Sequence, residues 1–506
     1  MTALATLPLE VKEIIAQLLD KKALCSCVRV SRTFHALFLP FLWQNIRLNN
    51  SHKRDPSQGS VALAAHASLV TDLVVIGPLP EEYYTISYPH LKTLKIESFS
   101  YPPDLTLLHV ALVRANPMVQ DLTLYKTPSK PTNEFWEVIE NEWIRPRSLD
   151  VVSHVVEPGQ SDAFWRACSR FETLSIISDD IPFFPTGYKD SSTPSQQQQP
   201  PVDVFPHIER LTLNFHPVGH GARPDHVDWI RRCPRLVYLA WNLVGRRSPV
   251  KRLAAELKNA TWPVLSSLRL EQSMHTDRDL SDLVSRLPYL RILQFSQSTF
   301  GPLSFAALKA HPQMRSLHTL SVLSCPGFTG SMAQAVLEQC PVLDTFAAPY
   351  ISVHDVAQEG SQPWACVHSL RFLTVYVTCG PQSTIKSRQK MFDQLGLLSN
   401  IIHLDLGAHR LFQLPLQVRS QLTTYESTLS LKLSSDNGGL ANFVGLTQLR
   451  HFSFKQTPQS LGMKEVHWVL DHWTHLSKIV GQFTNTGIPF SRLLDLFLQN
   501  GISFHE

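Results

Sequence analysis

Apolar residues recur along most of the chain in a six-residue phrase whose first, fourth and sixth positions are apolar. Clear copies are LKTLKI, LSSLRL and LRFLTV. Alternation of apolar and polar residues over so short a stretch predicts a half-buried β-strand. Neighbouring copies are spaced by about 27 residues on average. Their leading positions are Leu91, Val119, Pro146, Phe171, Ile208, Leu236, Leu265, Leu290, Leu317, Leu343, Leu370, Ile401, Thr428, Leu449 and Leu476.

Between these predicted strands, apolar residues recur at helical spacing, for example at 305–310, 332–339 and 466–473. Several copies are preceded by a proline that ends the previous helix and favours extended backbone. These prolines are Pro117, Pro234, Pro288 and Pro341. One strand and one helix per repeat indicate an α/β fold.

Residues 7–48 have a different pattern, which predicts three short helices. The first helix is indicated by five apolar residues at helical spacing, namely Val11, Ile14, Ile15, Leu18 and Leu19. A polar interruption from Asp20 separates it from a second helix that includes Leu24. Ser31 is placed to cap a third helix, which we expect Pro40 to end. Because three helices of this size bury little surface, part of their apolar surface should be available to a partner.

The same segment resembles an F-box. The resemblance is carried by Leu7-Pro8-x-Glu10-Val11, Ile14-Ile15, Leu18-Leu19, Leu24, Cys27, Val30-Ser31-Arg32-x-Phe34 and Leu42-Trp43. It implies a three-helix unit that binds the Skp adaptor of a Skp, cullin and F-box ubiquitin ligase. Two positions depart from the family's usual pattern, since Lys12 replaces an apolar residue and Ala23 an acidic one.

The resemblance also implies which residues contact the adaptor. They are Leu7, Pro8, Leu9, Val11, Ile14, Ile15, Leu18, Leu19, Leu24 and Val28. Phe34 and Trp43 are expected to hold the three helices together, with Leu42 and Trp43 in a turn after the third helix.

The repeated phrase resembles the leucine-rich repeat, which implies a solenoid shaped as a horseshoe with about fifteen degenerate repeats. The expected division is an F-box at 1–48, a linker at 49–68 and a repeat domain at 69–506, with a flexible Gln/Pro/Ser-rich loop at 186–203. A protein substrate would bind the concave face. Its expected anchors are Tyr238, Arg269, Phe372 and Tyr376, because aromatic and arginine side chains contribute most at such interfaces.

Composition narrows the class of protein. Hydrophobic residues make up 43% and charged residues 17% of the 506 residues, and no apolar stretch reaches the roughly 20 residues of a membrane span. The beginning lacks the pattern of a secretion signal. We therefore expect no membrane association and a cytoplasmic or nuclear location, or both. A net charge of +4 is too small to indicate nucleic-acid binding, and the eight cysteines are too sparse for a disulfide framework.

Chemical motifs are few. No nucleotide-binding glycine loop and no GxSxG motif occur. Two groups could hold a metal, His216, His220 and His226 beside Asp225, and His467, Asp471 and His475 on a predicted helical face. With 22 histidines in the chain such groups arise by chance, so we expect no metal, no cofactor and no catalytic residue. The basic run at 246–252 is read as a solvated loop.

The function predicted from these observations is that of a non-catalytic substrate receptor of the ubiquitin ligase, which reaches a cullin through the adaptor. The alternative is a protein-interaction scaffold that uses the repeats without a cullin. An enzyme embedded in the repeats is a third and weaker hypothesis.

Overall fold

The computed structural model describes most of the chain in several segments. They are residues 7–49, 56–97, 105–125, 132–153, 156, 158–177, 205–214, 227–242, 250–258, 261–271, 275–288, 290–358, 362–379, 383–407, 429–433, 439–483 and 490–505. The chain divides into two compact units, Met1–Leu236 and Val237–Glu506. The loop expected at 186–203 lies outside the described segments.

The first unit begins with three helices and continues as alternating strands and helices. Its helices are α1 (Leu9–Leu18), α2 (Lys21–Cys27), α3 (Arg32–Gln44), α4 (Pro56–Ala65), α5 (Leu105–Ala115), α6 (Asn133–Glu142), α7 (Ser161–Cys168) and α8 (Val227–Ile230). Its strands are β1 (Asn45–Asn49), β2 (Asp72–Ile76), β3 (Thr93–Glu97), β4 (Asp121–Tyr125), β5 (Ser148–Val152), β6 (Thr173–Ile177) and β7 (Arg210–Asn214). Short 3-10 helices lie at Ala67–Leu69, Glu81–Tyr83 and Pro158–Gln160.

The second unit repeats the same alternation. Its strands are β8 (Tyr238–Asn242), β9 (Ser267–Glu271), β10 (Ile292–Ser296), β11 (Thr319–Ser321), β12 (Thr345–Ser352), β13 (Phe372–Thr378), β14 (His403–Asp405), β15 (His451–Gln459), β16 (Lys478–Phe483) and β17 (Ser503–His505). Its helices are α9 (Val250–Lys258), α10 (Asp277–Val284), α11 (Pro302–Ala310), α12 (Gly330–Gln339), α13 (Val353–Ala357), α14 (Ile385–Gly396), α15 (Met463–His472) and α16 (Phe490–Gln499). Two 3-10 helices lie at Pro312–Ser316 and Leu440–Gly445.

Within each unit, neighbouring strands in the chain are neighbours in a parallel sheet. In the second unit the fourth phrase position of one repeat is in register with that of the next, as in Leu268, Leu293 and Leu320. These side chains are at most 1% exposed, so they form a continuous apolar core behind the strands. Side chains at the third and fifth positions point to the opposite side, which we call the open face.

The predicted strand positions agree with the structure at every leading position except Thr428, since each strand begins two residues after that position. The segment after Thr428 does not form a strand, and β14 pairs directly with β15. Leu429 and Leu431 are nevertheless buried. The Gln459 side chain accepts a hydrogen bond from Leu431 N–H at 2.9 Å and donates one to the Leu429 carbonyl at 2.9 Å. The Gln459 side-chain amide thus satisfies two backbone groups that a paired strand would otherwise satisfy.

The strand array also begins earlier than expected. β1 follows α3 directly and pairs with β2, with Ile46 opposite Leu73, and α4 occupies half of the expected linker at 49–68. The apolar spacing of Trp43, Ile46 and Leu48 is itself a copy of the repeat phrase. The sequence interpretation missed this copy because it assigned Trp43 to the helical segment.

The three N-terminal helices have a small core of their own. Ala16, Leu24 and Phe38 are buried at its centre. Ser31 caps α3 as expected, because its Oγ accepts a hydrogen bond from Phe34 N–H at 3.2 Å. The expectation that Pro40 ends the third helix is wrong, since α3 continues to Gln44. Phe41 and Leu42, which follow the proline, pack against the core and offset its missing N–H donor.

Candidate protein-binding surfaces

Helix α1 presents an apolar stripe to solvent. Val11 is 37%, Ile14 57% and Leu18 81% exposed. Their spacing of three and four residues places them on one side of the helix, and we call them the α1 stripe. Pro8, the N-cap residue of this helix, is also exposed. An apolar helical stripe of this kind is the form of surface that fits a groove in a partner.

The structure separates the remaining expected adaptor contacts by burial. Ile15, Leu19 and Val28 are partly buried and pack against the helical core. Leu24 is 5% exposed and belongs to that core. Leu7 is half-buried, and the side chain of Leu9 lies outside the described part of the chain. The accessible part of the predicted interface is therefore the α1 stripe with Pro8.

Short contacts join the helical segment to the first strands. The Lys21 ammonium donates to the Asn45 carbonyl at 2.6 Å, and Thr71 N–H donates to the Gln44 carbonyl at 3.0 Å. The ring centroids of Trp43 and His66 are 4.5 Å apart. Trp43 thus packs against the turn after α4 and not in the helical core, a role different from the one expected, whereas Phe34 packs in that core as expected.

Two expected anchors of the second unit lie on β8 and β9. Tyr238 is half-buried, and Arg269 is exposed. The Arg269 Nε donates to Glu271 Oε1 on the same strand at 2.6 Å. A ligand carboxylate would therefore compete with Glu271 for this guanidinium.

The other two expected anchors lie on β13 and have opposite environments. Phe372 is 37% exposed on the open face. Tyr376 is 9% exposed, and burial raises the pKa of its hydroxyl. In this structure its ring is packed inside the second unit and offers little surface to a ligand.

A row of side chains beside Phe372 was missed as a candidate site. The Phe372 and His403 ring centroids are 6.4 Å apart, and those of His403 and His451 are 4.2 Å apart. Burial, followed by the charges of His403, Lys478 and His505, lowers the pKa of His451 to about 4. The sequence contains a signal for this row, because histidine occupies the third position of the phrases that begin at Ile401 and Leu449. These two phrases are neighbours in the sheet because the segment after Thr428 forms no strand.

The second histidine group expected as a possible metal site does not share one helix. Helix α15 ends at His472, so His475 lies beyond it. Within the described residues, no three His, Cys, Asp or Glu side chains are grouped so that they could hold a metal ion. The first group, His216, His220, His226 and Asp225, lies outside the described residues, as does most of the basic run at 246–252. No helix in the described segments is long and apolar enough to cross a membrane.

Comparison with known proteins gives a match at the N terminus. The family model described as F-box-like matches residues 4–49, which include the three helices and the α1 stripe. The chain therefore carries an F-box-like domain at its N terminus. Among solved structures, the chain is similar to the crystal structure of the Rad7 and Elc1 complex in yeast, at a TM-score of 0.43 and 12% identity, covering 98% of this chain and 95% of that one. None of the curated proteins compared with the chain matches it.

Proposed function

We propose that this protein is the substrate-recognition subunit of a Skp, cullin and F-box ubiquitin ligase. In this role the F-box-like domain binds the Skp adaptor and the repeat array binds a protein target. The protein makes and breaks no bonds itself. It raises the effective concentration of the target's lysines near the ubiquitin-charged enzyme.

The observation that carries the proposal is the α1 stripe within a segment that matches the F-box-like family. Side chains as exposed as Leu18 are normal when they occur singly. Three at helical spacing form a continuous surface that a partner groove can remove from water. Burial of the α1 stripe by a partner would make the free energy of binding more favourable. It would not disturb the helical core, because Leu24 and Phe38 provide that core from the opposite side.

The junction between α3 and β1 supports the same role. Since no linker separates Gln44 from Asn45, and Lys21 and Trp43 both contact residues beyond α3, an adaptor bound to α1 would be held at a fixed position relative to the first strands. A rigid connection lowers the entropic cost of presenting a bound target. We place this activity in the cytoplasm, the nucleus or both.

The experiment is co-purification of the Skp adaptor and a cullin with the full chain. The wild type should retain both, and the double variant Leu7→Ala with Pro8→Ala should lose the adaptor while the strand array stays folded by circular dichroism. Retention of the adaptor by the folded double variant contradicts the proposal. Repeating the purification under proteasome inhibition should enrich the target on the wild type.

The second candidate is a scaffold that binds the adaptor without a cullin, or acts through the repeats alone. Lys12 on α1 is the observation that favours it, because a half-buried lysine stands where the F-box resemblance expects an apolar side chain. Adaptor recovered without cullin would support the scaffold. Recovery of both with ubiquitinated target would exclude it.

A further inference from the structure

Four strands of the second unit align four side chains on the open face. Phe372 is opposite His403, His403 opposite His451, and His451 opposite Lys478 in the register of the parallel sheet. We call these four residues the β13–β16 row. Each occupies the third phrase position of its repeat. The row is therefore fixed by backbone pairing and does not depend on side-chain flexibility.

The side chains of the row form a partly accessible surface. Phe372 is the most exposed of the rings at 37%, and the two histidines and Lys478 are half-buried. The 4.2 Å separation of the imidazole centroids leaves the rings in contact at an angle of 36°. A ligand lying across the strands would thus meet an apolar ring, two imidazoles and an ammonium in that order.

On the four strands of the row, lysines outnumber carboxylates, since Lys455 and Lys478 stand beside one acid, Asp405. The Arg371 guanidinium lies 5.8 Å from the Phe372 ring centroid, and its nearest carboxylate, Asp344, is 3.8 Å away. Among the described residues, no carboxylate lies within ion-pair distance of the Lys478 ammonium. Asp405 is the acidic residue on the strands of the row, and one of its oxygens accepts a hydrogen bond from Gly407 N–H at 2.9 Å. The surface is therefore complementary to negative charge.

The contact between the imidazoles favours their neutral forms. Burial lowers the pKa of His403, and Lys478 lowers it further against the opposing effect of Asp405. For His451, burial is joined by the charges of His403, Lys478 and His505. An anion placed over the rings would reverse this effect, because an opposite charge stabilises imidazolium.

We propose that the β13–β16 row binds an acidic segment of a protein partner, with carboxylates facing His403, His451 and Lys478 and an apolar side chain on Phe372. This deepens the proposed function, on which it rests, by giving the chemical class of the target. Carboxylates are favoured over phosphate because the row contains no arginine, the side chain that binds phosphate in bidentate geometry. The permanent cation within the row itself is Lys478, and the two histidines are neutral until an anion lies over them.

The pH dependence of binding follows from the groups that face the imidazoles. They are Asp405 on β14, Lys478 on β16 and His505 on β17, with Arg371 and Asp344 beside Phe372. If a bound acidic segment returns one imidazole to its usual pKa of about 6.5, affinity should rise about fourfold between pH 7.5 and pH 6.0. Glutamate, with a pKa of about 4.3, stays ionised across this range.

The test is fluorescence anisotropy of the full chain with a labelled, capped peptide of the sequence Glu-Glu-Leu-Glu-Glu-Leu-Glu-Glu. A peptide with glutamine in place of every glutamate is the control ligand. The wild type should bind the glutamate peptide at least tenfold more tightly, and more tightly at pH 6.0 than at pH 7.5. Lys478→Gln should weaken binding about fivefold, and His451→Gln should reduce the pH dependence.

Lys309→Gln is the matched control variant, because Lys309 is exposed on α11 and the substitution removes the same charge. It should bind the peptide as the wild type does. Three results would each overturn the proposal. They are equal affinity of the wild type for both peptides, an equal loss of affinity with Lys309→Gln and Lys478→Gln, and tighter binding of a phosphoserine version of the peptide. Adaptor binding is measured on the same variants, and it should be unchanged whether or not the peptide binds. The two hypotheses can therefore fail separately.

Discussion

The replacement Leu18→Ala tests the α1 stripe most economically. Leu18 is 81% exposed, so its removal takes almost nothing from the core of the helical segment. Alanine also has the highest helix propensity. The free energy of unfolding should therefore change by no more than about 0.5 kcal/mol, as for most surface substitutions.

The effect on adaptor binding should be much larger. Full burial of a leucine side chain contributes about 1.5 to 3 kcal/mol, and about four-fifths of Leu18 is available for a partner to bury. The expected loss is about 1 to 2 kcal/mol, which corresponds to a Kd increase of about 5- to 30-fold.

Isothermal titration calorimetry of the purified chain with the Skp adaptor measures this loss. Leu303→Ala is the matched control, since Leu303 lies on α11 and is 52% exposed. It should leave the Kd unchanged. A Kd for Leu18→Ala within twofold of the wild type, with the fold intact, would refute the reasoning.

Three further predictions concern stability. Leu24→Ala should destabilise the helical segment by about 2 to 5 kcal/mol, because Leu24 is 5% exposed in its core; hydrogen exchange in α1–α3 measures this, and unchanged protection would contradict it. Gly481→Ala should lower the thermal midpoint of the second unit, because the added Cβ would collide with the buried ring of Phe454; an unchanged midpoint would show that the ring can move. Burial raises the pKa of Asp277, but hydrogen bonds from the Ser304 hydroxyl and backbone N–H groups at the start of α11 lower it below 3.8 overall. Its stabilising contribution is thus complete above pH 3.8 and is lost as the pH falls through the lower folded pKa. Unfolding curves of Asp277→Asn should show less acid destabilisation than the wild type, and identical pH profiles would count against this assignment.

The sequence predicted strand positions well because each repeat carries its own signal. Leading residues such as Leu265 and Leu290 are buried, and a two-residue alternation after them determines which side chains enter the core. The segment after Thr428 has the same alternation but forms no strand. Whether a candidate strand pairs depends on its neighbours. The hydrogen bonds from the Gln459 amide could not be predicted from the spacing of apolar residues near Thr428, because Gln459 is distant in the chain.

The candidate sites were predicted less completely. Helical spacing identified both faces of α1 but did not distinguish exposed Ile14 from packed Ile15, because both are apolar and adjacent. That distinction depends on where α2 and α3 pack. The β13–β16 row was missed for a related reason, since the contact between His403 and His451 requires β14 to pair with a strand 48 residues later in the chain.

Hydroxyl-radical footprinting of the full chain with and without the Skp adaptor tests the central claim most directly, because it reports the exposure of individual side chains. Ile14 and Leu18 should lose most of their reactivity when the adaptor is present. Val61 on α4, which is 70% exposed, serves as the reference and should keep its reactivity. Unchanged labelling of Ile14 and Leu18 at saturating adaptor would contradict the assignment of the α1 stripe as the adaptor-binding surface.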